Sequence, residues 1–148
     1  MTYANPRPNA KHYQTQQILN ASPAEQVVMM YDGALKFCQQ AKECIGNGDI
    51  QGRHNANKRA MEVVSYMLDI LDLEKGGDVA LRLQTIYAFL LRRLLEVDFR
   101  NDPRICDEVM THLRTLRASW SKLGQNTTAG APAMGDAASV TPLRSAVA

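Results

Sequence analysis

The sequence predicts an all-α fold: an antiparallel up-down-up-down four-helix bundle with a short N-terminal arm and a disordered C-terminal tail. Three observations carry this. Apolar residues recur at three- and four-residue spacing through four long segments. Helix caps, glycines and prolines separate those segments. The connections are only a few residues long, which makes successive helices antiparallel neighbours. The apolar material suffices for one core, because 148 residues, 45% hydrophobic and 22% charged, make a single domain that buries about two-thirds of its unfolded surface. Aromatic residues are only 6%, so the core rests on Leu, Val, Ile, Met and Ala, a composition that suits helices better than strands.

Residues 1–21 form the arm, with Tyr13, Ile18 and Leu19 placing apolar groups just ahead of the first helix. Ser22-Pro23-Ala24-Glu25 opens that helix with a serine N-cap, a proline at the first helical position and a glutamate that closes a capping box. Val27, Met30, Tyr31, Ala34, Cys38, Ala41 and Ile45 form its stripe, and Gly46-Asn47-Gly48 ends it. The second helix is expected from Ile50 to Leu73, capped by Asp49 and stopped by the Gly76-Gly77 turn. Asp78 is expected to cap the third, from Val79 to about Val97, and Asp102-Pro103 opens a fourth that reaches Trp120 and Leu123. The bundle is thus residues 22–123. From Gly124 to residue 148 the composition turns to Ala, Gly, Thr, Ser and Pro, which cannot offset its ordering entropy by burial.

The second and third helices carry more apolar surface than one core needs. A bundle helix uses a stripe a little over 100° wide, whereas the second helix is apolar over about 240°, from Leu73 and Tyr66 through Ile70, Val63, Met67 and Leu68 to Met61. The third has a core stripe of Val79, Leu83, Ile86, Tyr87, Leu90 and Leu94, and beside it a second stripe of Leu81, Ala88, Leu91 and Leu95. Three explanations fit the surplus: cover by the N-terminal arm, a homodimer interface, or a groove for apolar helices of another protein.

Charge and motifs exclude much chemistry. A net charge of +2, from 17 basic and 15 acidic residues that are scattered rather than clustered, makes nucleic acid a poor partner. Arg92-Arg93 reads as a solvated pair. Cys38, Cys44 and Cys106 lie in apolar-periodic segments and read as small buried hydrophobes in a reducing compartment. No stretch has the composition of a secretory signal or a membrane span, so a cytoplasmic protein is expected. A di-metal carboxylate bundle needs Glu-x-x-His pairs, but Glu108 and His112 are four apart and His12 and His54 stand elsewhere. No nucleophile elbow, phosphate loop, dinucleotide fingerprint or zinc spacing occurs. No enzyme, metal or cofactor is expected.

The ordered set Tyr13, Ala21-Ser22-Pro23, Met30-Tyr31-Asp32-Gly33-Ala34, Leu71-Asp72-Leu73-Glu74-Lys75-Gly76-Gly77, Ile86-Tyr87, Arg93-Leu94 and Trp120 resembles the flagellar secretion chaperone (FliS) family over about Tyr13 to Leu123. The resemblance implies a cytoplasmic, non-enzymatic chaperone. Such a protein binds the C-terminal segment of flagellin, prevents premature polymerisation, and supports delivery to the flagellar type III export apparatus through an export gate protein of the FlhA type. Tyr13 and Ile18 would belong to an arm rearranged by cargo. Ser22, Pro23, Tyr31, Asp32, Gly33, Gly76 and Gly77 read as architectural, with Tyr31 in the core, Asp32 outward and Gly33 permitting close helix approach. The groove residues come from the helical wheel: Met61, Tyr66, Leu68 and Ile70 on the second helix, and Leu81, Leu91 and Leu95 on the third. A monomer or weak dimer is expected, without nucleic acid or membrane insertion. A homodimeric helical adaptor is the alternative. The C-terminal tail departs from the compact family pattern.

Overall fold

The computed structural model describes residue 16 and residues 19–125. Tyr13, Ile18 and the tail from residue 126 lie outside the described residues. Among the described residues four long helices follow one another: α1 (Pro23–Gly46), α2 (Ile50–Asp69), α3 (Leu73–Arg100) and α4 (Pro103–Gln125).

The caps explain the boundaries. At α1 the Glu25 N–H donates to Ser22 Oγ at 3.2 Å and the Ser22 N–H to Glu25 Oε2 at 3.0 Å, the reciprocal capping box. Asp49 caps α2 by accepting from the Gly52 N–H at 2.9 Å. Two expected boundaries move. α2 ends at Asp69, with Ile70 as its C-cap, and not at Leu73. α3 begins at Leu73 because the Asp72 carboxylate, not that of Asp78, accepts from the Glu74 and Lys75 N–H groups at 3.1 and 3.0 Å. Gly76 and Gly77 therefore sit inside α3 rather than closing α2. Gly77, at φ 52° and ψ −137°, breaks the helix after one turn, a conformation open to glycine and strained for other residues. Beyond the break α3 runs to Arg100, past the expected Val97, and Asn101 ends it at φ 51°. Asp102 then accepts from the Arg104 N–H at 2.9 Å, opening α4.

Side-chain pairs show the up-down order, since residue numbers fall on one helix as they rise on its neighbour. Between α1 and α4, Lys42 meets Asp107 at 2.8 Å and Asp32 meets Arg117 at 2.5 Å. Between α2 and α3, Asn57 Nδ2 donates to the Leu94 carbonyl at 2.7 Å and Arg53 faces Asp98 at 3.3 Å. Arg93, expected to be solvated, instead joins α3 to α4 through Glu108 at 2.6 Å while also pairing with Glu96. The exposed pairs contribute about 0–1 kcal/mol each, so they mark register more than they stabilise it.

The core is one continuous cluster of side chains from all four helices, with Tyr31, Val64, Leu90, Leu94, Val109, Met110 and Leu113 fully enclosed. At its centre the hydroxyls of Tyr31 and Tyr87 hydrogen-bond at 2.5 Å, across the diagonal from α1 to α3. Both tyrosines are buried, so the pair satisfies two groups that water cannot reach. Cys38 and Cys106 are buried too, while Cys44 is only half-buried.

Two measurements check this core. Tyr31→Phe strands the Tyr87 hydroxyl and is expected to cost about 1–3 kcal/mol in urea unfolding, and Tyr87→Phe is expected to cost less, because Tyr31 keeps its hydrogen bond with Trp120. Replacing both is expected to cost less than the sum of the single changes. Burial pushes the Cys38 thiol up to about 12 and the Cys106 thiol to about 11 from 9.0, and the Tyr87 phenol to about 12 from 10.0. The folded state then holds protons that the unfolded chain releases. Stability should therefore be independent of these groups below pH 9 and fall as pH rises from about 9 to 12, measured by denaturation at each pH.

Candidate functional site

The apolar surplus of α2 divides three ways. Ala60, Val64 and Met67 face the core. Met61 and Leu68, seven residues apart, lie on the flank towards α3: Asn57, which bonds Leu94, stands one turn before Met61, with its Nδ2 4.0 Å from Met61 Sδ. Val63 and Tyr66 lie on the other flank, where they share a cleft of about 660 Å³ with Met30 and Phe37 of α1. The residues expected to make one groove are thus parted by the breadth of α2. Tyr66 is with α1, while Met61 and Leu68 are with α3. Ile70 sits at the C-cap of α2, half-buried against the core.

On α3 the second stripe is real surface. Leu81, Ala88 and Leu95 follow at seven-residue intervals, and Leu81 and Leu95 are 50% and 49% exposed. Leu91 is half-buried and packs against the core. Phe99, one turn beyond Leu95, is 79% exposed. It escaped sequence analysis because the helix was expected to stop near Val97. Extending the Leu81–Leu95 spacing by four residues would have found it.

A polar cluster closes this face at its Phe99 end. Arg53 and Asn57 are buried. Arg53 Nη1 donates to Asn101 Oδ1 at 2.6 Å, Asn57 Nδ2 donates to Asp98 Oδ2 at 3.2 Å, and His54 Nδ1 lies 3.3 Å from the same oxygen. Helical periodicity gave no sign of this cluster, since an arginine and an asparagine on a core-facing line read as exceptions to it.

The architectural residues fall out unevenly. Tyr31 is core, and Asp32 is exposed and paired with Arg117. Gly33 does not serve close helix approach, because a Cβ built on it would meet nothing within 4 Å. The His112 ring packs edge-on against Phe89 at 5.6 Å. Among the described residues no three His, Cys, Asp or Glu side chains converge, and no helix is long and apolar enough to cross a membrane. Burial holds the Cys38 and Cys106 thiols protonated, away from the reactive thiolate form. What the surface offers is apolar area on two flanks of α2, edged on the α1 side by Lys58, Arg59 and Glu62: a binding chemistry.

The sequence model described as "Flagellar protein FliS" matches residues 5–127. The chain is 33% identical over 107 residues to the flagellar secretion chaperone FliS of Campylobacter jejuni, covering 72% of this chain and 84% of that protein. To the flagellar secretion chaperone FliS of Salmonella typhimurium it is 31% identical over 107 residues, covering 72% and 79%. The Bacillus subtilis protein of the same name is 25% identical over 114 residues, covering 77% and 84%.

The exposed face predicts dye binding. Wild-type protein should enhance ANS fluorescence, and the triple variant Leu81→Ser, Leu95→Ser, Phe99→Ser should lose most of that signal. The melting temperature should stay within a few degrees, because exposed substitutions change stability by about 0.5 kcal/mol or less each.

Proposed function

The chain belongs to the flagellar protein FliS family of flagellar secretion chaperones, and from that premise we propose that it binds the C-terminal segment of flagellin on the α2–α3 face. Binding there keeps flagellin from polymerising before export and supports its delivery to the flagellar type III export apparatus, where an export gate protein of the FlhA type receives the loaded chaperone. The family role is that of a chaperone for flagellar export cargo. The observation that carries the finer reading is the row of Leu81, Leu95 and Phe99, all exposed along one side of α3, backed by Met61, Leu68 and Leu91.

The physical logic needs no catalysis. A segment destined for a filament core presents an apolar helical face that would find its own kind in solution. A helix laid along the α3 row removes that face from water, and the row removes its own at the same time, at about 25 cal/mol per Å² of apolar area. Ordering an extended cargo consumes several kcal/mol of the gross gain, so the interface has to be long. Within this reading residues 22–123 are the chaperone domain. The arm, residues 1–21, is displaced or rearranged through Tyr13 and Ile18 when cargo arrives.

Titration calorimetry with a synthetic flagellin C-terminal peptide tests the reading. Wild type should bind one peptide per chain, and Leu81→Glu or Leu95→Glu should weaken binding at least ~100-fold, since each places an unpaired carboxylate in the buried interface. Far-UV circular dichroism of both variants should match wild type. No binding by wild type, or unchanged binding by both variants, contradicts the assignment. A stable dimer that resists the peptide would instead favour a self-associating adaptor.

A further inference from the structure

The cleft on the other flank of α2 is left over by the cargo face. It runs between α1 and α2 and is lined by Met30, Phe37, Val63 and Tyr66. A second hollow of about 360 Å³ continues it towards the α1–α2 turn, sharing Asn55 and Arg59. From Met30 to Cys44 the groove follows α1 for about 20 Å, the length of a helix of about 14 residues.

Three features define what fits. The floor is apolar and partly aromatic, and burial raises the Tyr66 phenol above its ordinary value. Midway, the Arg59 guanidinium lies over the Phe37 ring, 5.8 Å from its centroid. Arg59 has no carboxylate partner among the described residues, and Lys58 beside it has none either; the acids along the groove are Glu62, one turn on, and Glu43 of the second hollow, which accepts from Gln39 Nε2 at 3.2 Å. Gly33 stands on the same side of α1, three residues after Met30 and four before Phe37. Its missing side chain leaves open space, although glycine inside a helix costs about 1 kcal/mol relative to alanine. A glycine that no packing requires, beside an apolar groove, admits an approaching backbone.

We propose that the α1–α2 cleft is a second docking groove, taking an amphipathic helix of a protein other than the cargo that sets aliphatic side chains against Phe37 and Val63 and a carboxylate against Arg59. Charge separates this occupant from the chain's own ends. Residues 1–18 contain Arg7 and Lys11 and no carboxylate, and residues 126–148 contain one, Asp136, between two prolines. Neither end offers an acidic amphipathic helix. The groove and the α3 row lie on opposite flanks of α2, so both can be filled at once. The inference stands on the cleft and does not rest on the identity of the cargo.

Fluorescein-labelled helical peptides of about 14 residues, with a leucine stripe and either Glu or Lys along its edge, supply the probe, read by fluorescence anisotropy. The Glu peptide should bind at least ~10-fold more tightly than the Lys peptide, and Arg59→Glu should reverse that order. Gly33→Ala should weaken Glu-peptide binding while its melting temperature stays level or rises. Saturating flagellin C-terminal peptide should leave Glu-peptide binding unchanged. Equal binding of the two peptides, a preference indifferent to Arg59→Glu, or full binding by Gly33→Ala overturns the proposal. Displacement by the flagellin peptide also overturns it, by giving the groove to the cargo. If flagellin peptide does not bind at all, the cargo reading fails and the Arg59 comparison still decides this one.

Discussion

Two buried phenols set the terms for the rest of the molecule. Tyr31 on α1 and Tyr87 on α3 can satisfy each other only when the two diagonal helices stand at one height, close enough for a 2.5 Å hydrogen bond. A slip by one turn between them would leave the Tyr87 hydroxyl buried and unpaired, at a cost of about 1–3 kcal/mol, and Tyr31 with Trp120 alone. With that diagonal held, α2 and α4 fill the remaining sides, and α1 shares its longest interfaces with both. The bundle then has room for one stripe from each helix. Apolar residues of α2 and α3 outside that stripe are left on the surface.

The surplus is thus a consequence of the same geometry that makes the fold stable, and it is the surface that the proposed cargo binding uses. The α3 row is exposed because it stands about 100° or more around the helix from the Leu83–Tyr87–Leu90–Leu94 core line. The Arg53–Asn57–Asp98 cluster holds α2 to α3 just beside it, so that the row is carried on a fixed backbone. A chaperone for export cargo has to bind apolar segments and release them unaltered. An open row on a rigid helix pair suits that better than an enclosed pocket, whose contents would be slow to leave.

Much of this architecture was legible in the residues. The Ser22–Glu25 capping box, the Asp49 cap and the Asp102-Pro103 start are local chemistry, and local chemistry reads directly from sequence. The α2–α3 boundary did not, because two aspartates compete to cap α3 and a glycine pair follows the first. The winning cap is Asp72, with its carboxylate on two backbone N–H groups, and Gly77 becomes a break inside the helix. The width of the apolar arc on α2 was visible, but its division between neighbours was not, since azimuth alone does not say which helix stands on which side. That is why Tyr66 and Leu68 were grouped and the structure parts them. Arg53 and Asn57 stayed hidden for a related reason: only the partner helix, with Asp98 and Asn101, makes their burial tolerable.

The central claim is that the exposed side of α3 is the cargo surface, and hydrogen–deuterium exchange of the full chain with and without flagellin C-terminal peptide tests it most directly. The account predicts slowed exchange along α3 from Leu81 to Phe99 and in the part of α2 from Met61 to Leu68, with the outer face of α4 unchanged. Slowed exchange confined to α4, with α3 as fast as in the free protein, would contradict it.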